Sequence, residues 1–433
     1  MRHLKATLIA AAVVVFAWIA LRTLHVNETL ATTWADALNK ATVDVDDATE
    51  LRRLLHFPRS CQTSLLDPGF ASFQPAALLR DLPDVPLIVN QPLAGVADPW
   101  LYTYEDRREP LPPSKFRVAQ HRETEMSLSA AFELAQSSRG FVYVSAKLSN
   151  SSALGQRALR DWPLLRATAQ QLCASDDVSQ LAWLGNVNST AGWHYDNTAN
   201  IYVMISGRKR WQLARPQSRL TFFPDLHMHA RQLIGDVDSG VIDIVLEAGD
   251  VLLIPPFYLH RVQTLSGSPV SVAINTWCSS SAAERQYALA RSVLPPIDVS
   301  WPRPQVLLAT KIFLDELVRA VGVESSFVRD SIVVGQYLAW LEDADDAVRE
   351  SFTNAVDAFG GCRFSARTVE LTRTSLLPQF RKALEHQATA FARIENAEVR
   401  RLLLARFAQR FVLSVLVDVE HVFPFFALCF DAE

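Results

Sequence analysis

The chain has 433 residues, 49% hydrophobic and 20% charged, with a formal net charge of −4. That length exceeds one ordinary core, so one large unit with appended segments is expected, and the composition, without low-complexity tracts or a fixed-period repeat, is that of a globular protein. No block of Lys and Arg forms the footprint of a polyanion partner, so no nucleic acid is indicated.

Arg2, His3 and Lys5 precede an apolar run from Ala6 to Leu21, closed by Arg22. The pattern reads as a signal anchor or signal peptide over 1–25; Arg22 stands where cleavage would fall and no small-x-small site follows, which favours an uncleaved anchor. The heavier positive charge before the run places the N-terminus in the cytosol and the body in the lumen of the endoplasmic reticulum or Golgi, a single-pass type II membrane arrangement, with secretion if the segment is removed. Sequons at Asn27, Asn150 and Asn188 suit that compartment. Cys61, Cys173, Cys278, Cys362 and Cys429 show no CxxC and no metal-like spacing. They read as small buried hydrophobes, with one or two disulfides open to them in an oxidising lumen.

Further on, Asp47 and Glu50 have capping-box spacing ahead of Leu51, Leu54 and Leu55, predicting a short helix. The stretch 58–113, rich in Pro and Asp, reads as irregular structure with strands such as VPLIV at 85–89. A helix is predicted over 128–136 and a strand over 141–148. From 181 to 278, short β-branched and aromatic runs alternate with Gly, Pro and Asp turns, as in a sandwich or jelly roll. From Pro304 onward the apolar residues recur near the 3.6-residue period, a separate helical layer. Its tail at 411–430 is interrupted by Asp418, Glu420 and His421, which fits a buried or dimer-forming helix better than a membrane span. The expected division is therefore 1–25, an N-terminal α/β extension over 26–130, a core over 131–300, and a helical region over 301–433.

The chemistry concentrates in two segments. In GWHYDNTAN, His194 and Asp196 stand two residues apart, which on a strand directs both side chains to one face. In AGDVLLIPPFYLH, a Gly249-Asp250 turn, an apolar strand and Pro255-Pro256 lead to His260. Two histidines and one carboxylate on one face of an octahedral ion leave three positions open, the arrangement of non-haem Fe(II) oxygenases. HxD alone is a weak signal; paired with the distant second segment it is far more specific. His121, His227, His229 and His421 lack this context and read as surface or packing residues.

On these motifs the stretch 181–279 resembles the JmjC/cupin catalytic core, in particular hydroxylase-type members similar to the asparaginyl hydroxylase that inhibits hypoxia-inducible factor. The resemblance implies an α+β fold, a double-stranded β-helix (jelly-roll, cupin) core flanked by helical segments. It also implies Fe(II) held by the catalytic triad His194, Asp196 and His260, with 2-oxoglutarate and O2 as cosubstrates. Lys209, in GRKRW, falls where the family's lysine pairs with the distal carboxylate of 2-oxoglutarate, and a dianion inside a barrel needs such a fixed cation. Asn200 matches the family's amide near the cosubstrate, while Asn275 and Trp277 in VAINTW match inward positions of the last strand. Tyr143 resembles the upstream tyrosine that touches the same carboxylate; for Tyr143 and Trp277, plain core packing competes with that role. The sequence departs from the family at Ala191, where a Thr or Ser commonly bonds the cosubstrate; Thr190 has the opposite strand parity.

The function so implied is decarboxylation of 2-oxoglutarate to succinate coupled to hydroxylation, or to N-demethylation through hydroxylation, of a substrate. The anchor and the lack of zinc-finger or reader modules favour hydroxylation of a protein side chain in the secretory pathway. The alternatives are a catalytically silent cupin-like binding module and a metal-dependent cupin enzyme that uses no 2-oxoglutarate. The C-terminal helices offer a homodimer surface.

Overall fold

The protein is described from a computed structural model that covers residues 29–416 apart from several internal stretches, the longest being 93–120 and most of 330–363, together with Phe425 and Phe426. The 1–25 segment lies outside the described residues, as do His227, His229 and His421. None of the described helices is long and apolar enough to cross a membrane.

Twelve strands are described: β1 (His56–Phe57), β2 (Pro86–Pro92), β3 (His121–Ser127), β4 (Tyr143–Lys147), β5 (Val178–Gly185), β6 (Thr190–Tyr195), β7 (Asn200–Ser206), β8 (Lys209–Ala214), β9 (Ile242–Leu246), β10 (Val251–Ile254), β11 (Leu259–Thr264) and β12 (Ser271–Cys278). They form an eight-stranded sheet, β1-β10-β7-β12-β5-β4-β2-β3, and a four-stranded sheet, β6-β11-β8-β9. Every ladder within the two sheets is antiparallel. From β5 to β12 the chain passes back and forth between the sheets, and this makes them a jelly roll. Two of the corners need a left-handed backbone that glycine adopts without penalty: Gly207 (φ 82°) between β7 and β8, and Gly249 (φ 99°) ahead of β10.

Residue type explains the layering. β7 (NIYVMIS) and β10 (VLLI) are apolar along nearly their whole length and buried on both faces, whereas β5 alternates buried and half-buried positions. One core cluster fills the roll and the outer face of the large sheet. A second joins Phe313, Phe380, Phe391, Phe407 and Phe411 of helices Arg303–Val321, Ala366–Ala392 and Ala397–Leu416 to Trp193, Tyr195, Phe257 and Leu259. Strand parity makes this possible: Trp193 and Tyr195 flank His194, and Leu259 precedes His260, so the outer face of the small sheet adheres to the helices while its inner face is left for other work.

The α+β jelly roll therefore matches the expectation, as do helices at Ala48–Leu55 and Leu128–Ser137 and the helical texture beyond Pro304. The 58–113 stretch differs: besides β2 it contains helices Gly69–Ser72 and Pro75–Asp81. Pro75 occupies the first turn, where a missing N–H costs nothing, and Ala and Leu follow it. Helices Ala153–Asp161 and Pro163–Cys173, not anticipated from the sequence, follow β4. Ser152 caps the first by accepting from the Gly155 N–H at 3.0 Å. The start of the tail belongs to helix Ala397–Leu416, with Phe411, Val412 and Val415 buried, and Phe425 and Phe426 are buried as well.

Because Phe391 is fully buried and meets Phe407 edge-on at 5.7 Å, Phe391→Ala should destabilise the protein by about 3–5 kcal/mol in denaturant titration. A loss under about 1 kcal/mol would mean that the helical layer does not share the cooperative core.

Candidate metal centre

The β6–β11 ladder pairs His194 directly with His260, bringing the ring centroids to 4.1 Å. Asp196 lies just beyond β6, on the same parity as His194. One ligating atom from each of His194, Asp196 and His260 lies within 4.8 Å of the others, and His260 Nε2 stands 3.8 Å from Asp196 Oδ2.

Each group is oriented by a neighbour. His194 Nδ1 lies 2.7 Å from the Gly192 carbonyl, and His260 Nδ1 3.0 Å from the Tyr258 carbonyl. A carbonyl can only accept, so Nδ1 of each ring donates and Nε2 is the ring atom left to meet a metal. The Trp277 indole N–H donates to Asp196 Oδ2 at 3.0 Å, and the exposed Arg231 guanidinium reaches within 4.0 Å of Oδ1. Burial, and then the neighbouring His194 ring, pull the His260 pKa down to about 4 against the opposing influence of Asp196. His260 is therefore neutral at physiological pH, the form that binds metal.

The backbone at Asp196 is held from the His260 side. The Phe257 N–H donates to the Asp196 carbonyl at 2.7 Å, with Phe257 in the left-handed region (φ 66°) right after Pro255-Pro256. A non-glycine residue there costs on the order of 1–3 kcal/mol, offset here by that hydrogen bond and by burial of the ring against Tyr195.

A cavity of about 200 Å3 opens onto the triad. It is lined by Tyr143, Ala191, His194, Asp196, Asn200, Lys209, His260, Asn275 and Trp277, so every residue singled out from the sequence faces one space. The ladders explain the convergence. On β7 and β12, Asn200 pairs with Trp277 and Tyr202 with Asn275. The Asn275 amide donates to Asn200 Oδ1 at 3.2 Å. On β8, Lys209 pairs with Thr264, four residues beyond His260 on β11, or about 13 Å of strand. Lys209 is 1% exposed; its ammonium stands 5.6 Å from the Tyr143 ring centroid and 5.7 Å from that of Tyr202. No carboxylate pairs with it among the described residues, and burial lowers its pKa to about 7.

Sequence reasoning missed Trp183, Tyr202, Trp211 and Val262, which line the same cavity. Tyr202 and Trp211 were within reach of it, each standing two residues past a residue expected to point inward, Asn200 and Lys209. Trp183 completes an aromatic wall, 5.3 Å from the Tyr143 ring and 6.2 Å from that of Trp277. No sequence signal marked it.

An antiparallel jelly roll with two histidines and a carboxylate turned into its interior is the arrangement of a cupin-type candidate metal site. Comparison with known proteins agrees, since residues 103–284 match the Cupin-like domain family. The chain is 32% identical over 107 residues to JmjC domain-containing protein D of Dictyostelium discoideum, covering 22% of this chain and 24% of that protein. It is 25% identical over 118 residues to HSPB1-associated protein 1 homolog of Danio rerio, covering 24% and 26% of the two chains. The chain thus matches about a quarter of the length of these relatives. Residues 103–284 thus carry a Cupin-like domain similar to that of a JmjC protein, and domain and triad together support metal-dependent, oxygenase-type chemistry.

Asp196→Ala should abolish binding of Fe(II), or of Co(II) as a spectroscopic probe, while leaving the circular dichroism unchanged. Trp277→Phe should retain the metal with affinity lowered about 10- to 100-fold, the usual consequence of losing a hydrogen bond to a ligand. Wild-type affinity in both variants would rule out this centre.

Proposed function

We propose that the protein is an Fe(II)- and 2-oxoglutarate-dependent oxygenase that hydroxylates a protein side chain. Lys209 is the observation that carries this reading. A buried ammonium without a carboxylate partner is costly to maintain, and it sits in the cavity that opens onto the triad. An anionic cosubstrate relieves that cost, and a dicarboxylate suits a cavity lined by Lys209 as well as by His194, Asp196 and His260. The cavity is smaller than the roughly 300–1,000 Å3 of drug-sized sites, which suits a small organic acid.

Iron and 2-oxoglutarate, when bound, supply the oxidising chemistry. The residues of the chain perform the rest. His194, Asp196 and His260 would hold the metal, their orientation fixed by the Gly192 and Tyr258 carbonyls and the Trp277 indole. Lys209 and Tyr143 receive the distal carboxylate, Asn200 and Asn275 offer amides beside it, and the Tyr143, Trp183 and Trp277 rings exclude water. The likeness to the asparaginyl hydroxylase suggests a polypeptide substrate. Cys278 is disulfide-bonded, which fits the oxidising lumen inferred from the N-terminal sequence.

The Lys209 pKa gives a pH signature. The dicarboxylate binds the ammonium form, which the ligand-free protein loses as pH rises through about 7. Affinity for 2-oxoglutarate, measured calorimetrically with Mn(II) in place of iron, should be greatest below that pH and fall about tenfold per unit above it. Lys209→Met should weaken binding and remove this dependence. A flat profile in the wild type, or unimpaired binding by the variant, would favour a cupin that uses no 2-oxoglutarate.

A further inference from the structure

Ala191 lines the cavity with a methyl, and among the described residues lining it only Tyr143 and Tyr202 bear a hydroxyl. Tyr202 is 2% exposed, and its hydroxyl is buried with no hydrogen-bond partner. Leaving a buried hydroxyl unsatisfied costs appreciable free energy, so an orphan on a residue that lines a cavity is a group an occupant of that cavity could satisfy. The ring lies at the Lys209 end: the ammonium stands 5.7 Å from its centroid, and the Tyr202 ring packs edge-on against Trp211 at 4.6 Å, fixing its orientation. Lys209 on β8 and Tyr202 on β7 line this same cavity from the two sheets.

We propose that Tyr202 is a cosubstrate-binding residue: its hydroxyl donates to the distal carboxylate that Lys209 pairs with, taking over the bond that the side chain at position 191 cannot make. This rests on the 2-oxoglutarate reading given above. Burial raises the Tyr202 pKa well above its ordinary value, so the phenol keeps its proton and acts as a donor throughout the physiological range. The assignment also accounts for Ala191, because with the donor placed on β7 the methyl on β6 only has to fill space.

The test compares two ligands on Mn(II)-loaded full-length protein by calorimetry: 2-oxoglutarate, and 2-oxopentanoate, which keeps the 2-oxo acid end but lacks the distal carboxylate. Tyr202→Phe removes one oxygen and preserves the ring. It should weaken 2-oxoglutarate about 10- to 100-fold, as expected for a hydrogen bond to a charged group, and change 2-oxopentanoate less than about twofold. Adding Ala191→Thr to Tyr202→Phe should restore at least part of the lost 2-oxoglutarate affinity. Equal affinity of wild type and Tyr202→Phe for 2-oxoglutarate, or equal loss for both ligands, would overturn the assignment of Tyr202 alone. Failure of the wild type itself to bind 2-oxoglutarate would overturn the underlying reading together with it.

Discussion

The register of β6 against β11 is the constraint on which the rest depends. It sets His260 directly opposite His194, although the two are far apart in sequence, and because side chains alternate along a strand, a slip of one residue would turn one imidazole into the helical layer and bring Leu259 or Arg261 inward. Both faces of the small sheet hold that register. Outside, Trp193, Tyr195 and Leu259 are embedded among the phenylalanines of the C-terminal helices, so slippage would expose a large aromatic surface. At the strand ends, the bond from the Phe257 N–H to the Asp196 carbonyl ties the turn before β11 to the ligand beyond β6. The helical layer is thus a structural part of the metal centre though it contributes nothing to the described cavity lining.

Inside the roll the polar groups are graded along the cavity. At one end, carbonyls and an indole N–H fix two imidazoles and a carboxylate. At the other, Lys209 is sealed among aromatic rings that soften, but do not remove, the penalty of a buried charge. An interior arranged this way is less stable empty than filled by an anion, which gives the protein a physical reason to bind one. It also makes ligand binding and folding stability linked quantities.

Much of this was legible in the sequence, for identifiable reasons. HxD followed by a distant GDVLLIPPxxxH gave the triad because strand parity and a rigid Pro-Pro exit are local properties. Lys209, Asn200, Asn275, Trp277 and Tyr143 came instead from family resemblance, and nothing in their own spacing singles them out. Tyr202 and Trp211 were reachable by parity, but nothing in the runs IYVMIS and RWQLA separates them from core aromatics. Trp183, the strained Phe257 and the link from Trp277 to Asp196 depend on which strands become neighbours, which one chain without its pairings does not reveal. Helix Pro75–Asp81 was missed because proline there punctuates a helix start but was read as loop chemistry.

The account stands or falls on a metal and a 2-oxo acid meeting in one cavity. Fe(II) and 2-oxoglutarate added together without oxygen should produce a metal-to-ligand charge-transfer absorption, which requires chelation by the 2-oxo acid and no knowledge of the substrate. The account predicts that the band appears in the wild type and is absent from Asp196→Ala. Folded, iron-loaded wild-type protein that shows no band at saturating 2-oxoglutarate would contradict it.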